Sequence, residues 1–376
     1  MLGQEKALGG HNSGKVVDIE SKISFMRMEL ASFSMERTLR ARFKKVTRYD
    51  VYAIGAALLD IEVAVSEVFL HDNVIKKGVM TLVDEARQAQ LITALDKNNN
   101  FQRKTSGGSA CNTLVAAASF GATAFFSGKV ADDGDGKHFV NDLVEAGVAF
   151  HRATPEQGIT GKCLVMVTDD AERTLNTFLG ASELLSDKEI NLEALLESEW
   201  LYIEGYLLTD DARTSLVSNV VSKAKSAGVK VALSLSDPFV AQIFGENIRT
   251  VIDDGIDLIF CNKDESLAFA NTESIDEAFE VLANSAKMFA VTDGAAGVVI
   301  FNGSTTIKVP GVPTNAVDTN GAGDMFAGAF LYAVTAGRDL KWAAELANES
   351  ASRVVSKFGP RLDTQDFVSI KQKFGI

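Results

Sequence analysis

Cysteine is scarce. The three in 376 residues (Cys111, Cys163, Cys261) lie far apart and form no Cys-x-x-Cys pair. That argues against a disulfide framework or a thiolate zinc site and makes a reducing cytoplasm the simpler setting. The four histidines, His11, His71, His138 and His151, show no metal-ligand spacing. No apolar run approaches the ~18 residues that suggest a membrane span, and the start of the chain lacks the apolar core of a secretory signal. A cytoplasmic protein with no membrane partner is expected. Positive charge is also in deficit. A formal net charge of −13 argues against a nucleic-acid partner, because affinity for a phosphate backbone rests on clustered Lys and Arg. It leaves room for a local phosphate site, which needs only donors such as helix N-terminal amides.

What is present is enough for a full core: 46% hydrophobic and 23% charged residues, the balance of an ordinary globular protein. Residues 1–48 read differently from the rest and are expected to be an extension outside the core. They carry a loop-like Gly9-Gly10-His11-Asn12-Ser13-Gly14, and residues 36–48 hold six basic residues against one acid. Gly9 and Gly14-Lys15 imitate the spacing of a Walker A loop, but Val16 replaces the required Ser or Thr and no strand precedes it. From Tyr49 onward, strand-like runs at 50–54, 124–128, 201–204, 230–235, 258–261, 289–292 and 298–301 alternate with helical stretches such as 210–227, which closes on Gly228. That alternation predicts an α/β domain over 49–376, a three-layer sandwich with a mostly parallel central sheet. Residues 60–66 and 161–175 instead alternate polar and apolar, as half-exposed strands outside the main sheet would. A small β-rich flap and a pair of ordinary surface hairpins fit them equally.

The strongest chemical signal is Asp318-Thr319-Asn320-Gly321-Ala322-Gly323-Asp324, followed by the apolar run Met325-Phe326-Ala327-Gly328-Ala329-Phe330. Gly321, Ala322 and Gly323 are small enough for a phosphate to approach the backbone. Gly323 in particular is expected to need a conformation that larger residues avoid. The run after them reads as a helix whose first amides point back at the loop, a ready anion site. Asp324 at the helix start would then lie between that cradle and an acceptor hydroxyl, placed to take its proton.

This segment resembles the C-terminal signature of the ribokinase-like, or PfkB, family of carbohydrate and nucleoside kinases. Ser106-Gly107-Gly108-Ser109-Ala110-Cys111-Asn112 resembles that family's Gly-Gly loop. Gly128-Lys129-Val130-Ala131-Asp132-Asp133 with Gly136 resembles a further stretch. Asn262-Lys263-Asp264-Glu265 is similar to its Asn-x-x-Glu element, and Val291-Thr292-Asp293-Gly294-Ala295-Ala296-Gly297 to its nucleotide-side loop. The motifs follow the family's order from Tyr49 to the C-terminus. The resemblance implies an ATP- and Mg²⁺-dependent kinase acting on a small-molecule alcohol, monomeric or homodimeric, with a β lid built from about 60–105 and 154–180. Asp324 would be its general base.

Within the family, Tyr202-Ile203-Glu204-Gly205-Tyr206 and Leu235-Ser236-Asp237-Pro238-Phe239 resemble the adenosine-kinase branch. By that resemblance Asp60 would hold two ribose hydroxyls, as a carboxylate can, with Gly107, Gly108 and Asn112 lining the same pocket. Ala56 and Leu207 depart from the branch, which has Asn and a second aromatic there. Tyr206 and Phe239 are the remaining candidate faces for a base, Phe239 equally well an ordinary core side chain. Asn262 and Glu265 would order Mg²⁺ through water, or Asn262 would only cap a helix. Arg173 would close over the transferring phosphate, or be an exposed arginine of the flap. Thr292, Gly294 and Gly297 would line the ATP site, and Asn348 would reach the adenine or be a polar helix position. Asp318 with the 356–361 loop resembles the family's monovalent-cation site, implying K⁺, although Pro360 departs from it.

Overall fold

The computed structural model describes residues 47–96, 101–151, 157–170 and 172–376, with no account of the side chains of 101–103. The Gly-rich turn and residues 36–46 of the basic stretch lie outside the described residues. The main sheet has nine strands in the order β14-β13-β12-β11-β10-β9-β1-β5-β6. Seven of its strands run parallel: β1 (Tyr49–Ile54), β5 (Ala124–Ser127), β6 (Val148–Phe150), β9 (Ser198–Glu204), β10 (Lys230–Ser234), β11 (Ile256–Asn262) and β12 (Ala286–Thr292). β13 (Val298–Phe301) and β14 (Thr306–Val309) add an antiparallel edge.

Alternation along β1 builds the three layers. Val51 and Ala53 pack into one core with the helices Ser109–Phe120, Ala322–Thr335 and Leu340–Val355. Tyr52 and Ile54 face the opposite core, against Asp211–Ser226 and Gly245–Asp253. Both faces are covered, which is why these strands read as continuous apolar runs. The helix Asp211–Ser226 is capped by Asp210, whose side chain accepts from the Arg213 amide, and Gly228 follows it at φ +75.

A second sheet has the order β3-β8-β7-β2-β4, formed by β2 (Leu58–Ala64), β3 (Met80–Leu82), β4 (Phe101–Gly107), β7 (Thr160–Val167) and β8 (Arg173–Gly180). The alternating stretches do fall here, but they are not half-exposed. Ile61 and Val63 pack with Leu91, Leu95, Leu164 and Met166 on one face, while Asp60 and Glu62 on the other are also buried. Cys163, Val165 and Val167 of β7 pack against Phe358, and Gly359 lies against Glu62. The C-terminal loop therefore covers the polar face. Alternation marked a polar face rather than a solvent face. The 161–175 stretch is also two strands rather than one, since the Thr168 amide donates to the Glu172 carbonyl and β7 turns there into antiparallel β8.

Candidate active site

The chemistry gathers at the N-terminus of the helix Ala322–Thr335. Its cap, Gly321, has φ +73, and a Cβ there would run into the backbone and ring of Pro360. Gly323 is different: its φ is ordinary, and a Cβ would meet no protein atom within 4 Å. The unusual conformation expected at Gly323 thus belongs to Gly321, because the chain must turn from the loop into the helix at the cap. What Gly323 contributes is bare backbone facing open space at a helix N-terminus.

Asp324, in the first helical turn, points at the Gly-Gly loop. Its Oδ1 accepts from Ser109 Oγ at 2.7 Å and its Oδ2 from Asn112 Nδ2 at 3.4 Å. Burial raises its carboxyl above the usual range, opposed by those two hydrogen bonds and by Arg173 and Arg361. Asp60 is buried on the same side, and a Cβ on Gly107 would collide with its carboxyl. Burial pushes Asp60 up to about 7, with the Arg361 charge and a hydrogen bond from Asn112 opposing. Gly108 turns at φ +94, its Cα against the Ala56 carbonyl. The structure therefore brings Asp60, Gly107, Gly108, Asn112 and residues 321–324 together.

Arg173, the first residue of β8, reaches across from the second sheet. Its Nε donates to Thr319 Oγ1 at 3.2 Å and its Nη1 to Asn320 Oδ1 at 2.9 Å, with Asp318 Oδ1 3.7 Å from Nε. Asp318 is fully buried and shapes the loop, accepting from the amides of Asn320 (2.8 Å) and Gly359 (2.9 Å). Asn320 Nδ2 is buried without a hydrogen-bond partner. An orphan buried donor is costly, so this one, beside the free helix amides, fits an anion such as a nucleotide phosphate.

The other candidates lie farther out. Asn262 and Glu265 form a reciprocal capping box on the helix Lys263–Ala270: the Glu265 amide donates to Asn262 Oδ1 at 2.8 Å, and the Asn262 amide to Glu265 Oε2 at 3.0 Å. Burial, with Asp237, Asp264 and Asp324 adding to it, pushes Glu265 up to about 7. Tyr206 donates from its hydroxyl to the Ser236 carbonyl at 3.3 Å. Phe239 is 61% exposed, in edge contact with Phe244, so it is not a core side chain. Thr292 ends β12, Gly294 begins a short turn, and Gly297 at φ +97 packs against Val309 and Gly311. Asn348 is buried and donates to the carbonyls of Val309 and Pro310, pinning the strand that lies against Gly297. Among the described residues no group of three or more His, Cys, Asp or Glu is placed to hold a metal ion.

The sequence pattern described as pfkB family carbohydrate kinase matches residues 81–366. The chain belongs to this family. This pfkB kinase is ATP-dependent, with an alcohol group as phosphoryl acceptor. It is 28% identical over 342 residues to the adenosine kinase of Schizophyllum commune, spanning 84% of this chain and 97% of that protein. It is 30% identical over 253 residues to the ribokinase of Bacillus subtilis, spanning 67% and 82%. The structure of adenosine kinase from Sinorhizobium meliloti superposes with a TM-score of 0.80 at 34% identity, covering 87% of this chain and 99% of that one.

Four residues at this candidate site had no role in the sequence reading. Ser109, Glu204 and Asn320 stood inside quoted motifs without a role. Glu204, at the end of β9, is buried and accepts from the amides of Ala56 and Ala110, both at 2.8 Å. It thereby ties the exit of β1 to the first turn of the helix Ser109–Phe120. Arg361 contacts residues some 250 positions away, a pairing that no local pattern encodes.

Proposed function

We propose that this kinase transfers the γ-phosphoryl group of ATP to the 5′-hydroxyl of a purine nucleoside, adenosine first, with Asp324 as general base. The observation that carries the reading is the setting of the Asp324 carboxylate, half-buried between the Gly321–Gly323 backbone and the Asp60–Asn112 pocket. ATP supplies the electrophilic phosphorus and, with Mg²⁺, part of the charge balance. Asp324 takes the hydroxyl proton at a carboxylate oxygen, a role its raised affinity for a proton suits. Asp60 accepts from the cis-diol. The amides at the start of the helix Ala322–Thr335, Asn320 Nδ2 and Arg173 hold phosphate oxygens. Asn262 and Glu265 would order Mg²⁺ through water, Thr292, Gly294 and Gly297 would line the ATP site beside Asn348, and Asp318 with the 356–361 loop would hold K⁺.

Near-full-length similarity to an adenosine kinase supports a nucleoside, as do the exposed Phe239 face and the half-buried Tyr206 ring. The similarity to a ribokinase makes a sugar such as ribose or fructose the second reading. Ala56 offers no polar side chain to a base, so adenosine and inosine should be discriminated weakly. The test is kcat/KM for adenosine, inosine, ribose and fructose in parallel, with Asp324→Asn as control. A fall in turnover on the order of 10² to 10⁴ is expected for the variant, with ATP binding retained. Near-normal turnover would falsify the base, and a free sugar preferred tenfold over both nucleosides would favour the sugar reading.

A further inference from the structure

Arg361 is 8% exposed, and all three of its guanidinium nitrogens are engaged. Nε donates to Asn112 Oδ1 at 2.9 Å. Nη1 donates to Asp142 Oδ2 at 3.1 Å. Nη2 donates to Ser106 Oγ at 3.0 Å, to the Ser106 carbonyl, and toward Cys111 Sγ. Asp142 in turn accepts from the Ser106 amide at 2.8 Å. These partners all belong to, or brace, the segment that forms the acceptor side: Ser106 precedes Gly107-Gly108, and Asn112 lies one turn into the following helix. A lysine, with one compact charge, could not span them.

The bond to Asn112 has a chemical consequence. A carboxamide has an acceptor end and a donor end, whereas a guanidinium has donors only. Arg361 can therefore face only Oδ1, and Nδ2 must point the other way, where it donates to Asp324 Oδ2 at 3.4 Å, on the side where Asp60 is buried. Reversed, the amide would set an oxygen against the Asp324 carboxylate.

We propose that Arg361 is a positioning residue of the acceptor site: by holding Asn112 Oδ1 it fixes the carboxamide as a donor toward Asp324, on the side where Asp60 lies. The spacing of these two carboxylates sets where the acceptor's diol and its reacting hydroxyl sit, so Arg361 governs acceptor binding without touching the acceptor. This rests on the reading of Asp324 as base and Asp60 as diol ligand.

Two substitutions of equal length separate this role from a structural one. In Arg361→Gln the side-chain nitrogen occupies the same place along the chain as the arginine Nε and can still donate to Asn112 Oδ1. In Arg361→Met nothing can. Both lose the charge, the Asp142 contact and the Ser106 contacts, so their thermal midpoints should fall alike. Steady-state kinetics with adenosine should show KM for adenosine raised about tenfold in Arg361→Met, the scale of one good hydrogen bond. Arg361→Gln should recover most of that loss, and KM for ATP should stay within about twofold in both. In an Asn112→Ala background the difference between Gln and Met should vanish, because the coupling runs through that residue. Equal adenosine KM values in the two variants, or a difference that survives Asn112→Ala, would overturn the proposal. Should neither variant fold, Asp142→Asn loosens the guanidinium from the half-exposed side, and an unchanged adenosine KM there counts against it equally. Asp324→Asn measured alongside keeps the two readings apart. If it retains turnover, the base assignment fails; if it is dead while Gln and Met agree, only the role of Arg361 fails.

Discussion

Gly321 and Gly323 stand two positions apart and answer to different constraints. Gly321 needs its positive φ, and its Cα abuts Pro360. Gly321→Ala should therefore destabilise the fold by at least the ~1–2 kcal/mol that a left-handed conformation costs an L-residue, seen as a lower denaturant midpoint. Gly323→Val has room in the protein and should fold with little change. Its side chain projects where the phosphate chain is proposed to lie, so ATP-dependent turnover should collapse. A Gly323→Val enzyme with normal KM for ATP would move the phosphate away from this loop. That glycines and Asp324 carry the chemistry was legible in the sequence, because small residues before an apolar helix have a direct physical meaning. Which glycine is conformationally obligatory was not, since that depends on Pro360, which is distant in sequence.

Among the elements, most strands of the main sheet were readable because burial on both faces leaves an apolar run. β2 misled, because a polar face can be covered by another part of the chain as well as by water. The short strands β3, β6 and β14 were missed, having too few residues to establish a period, and β4 was not read as a strand either. The capping box on Lys263–Ala270 poses a sharper question, since its two residues are also the proposed Mg²⁺ pair. Glu265→Gln keeps an acceptor and the side-chain length but removes the charge. The Mg²⁺ concentration for half-maximal activity should rise several-fold, while the helix loses no more than the ~1 kcal/mol of a weakened cap. Titrating Mg²⁺ at saturating ATP decides it: an unchanged requirement leaves Asn262 and Glu265 as a cap alone.

Across the whole molecule, several acids of the described residues are buried. Asp60, Glu204 and Glu265 are each pushed up to about 7 by burial. Between the ordinary carboxylate range and that value the folded chain holds protons that the unfolded chain has released, so stability falls as pH rises through this window. Asp133, Asp142, Asp257 and Glu349 are shifted down by hydrogen bonds and nearby cations. Their contribution is present at neutral pH and is lost only below the ordinary range. The denaturation midpoint of the ligand-free protein should accordingly be higher near pH 5.5 than at pH 8. Glu204→Gln should flatten that slope while lowering stability by about 1–3 kcal/mol, because its NH₂ opposes one of the two amides. A midpoint that climbs steadily from pH 5.5 to 8 would contradict these shifts.

Three consecutive residues of the C-terminal loop each hold a different part of the site. The Gly359 amide binds Asp318, Pro360 buttresses Gly321, and Arg361 grips Asn112. Surface loops ordinarily tolerate insertions and deletions, but here adding or removing one residue would put each grip out of step with its target. The loop should therefore be intolerant of length change even where it accepts substitution. Randomised libraries of residues 356–361 would show it: active clones would vary in composition at 356 and 357 and share a single length.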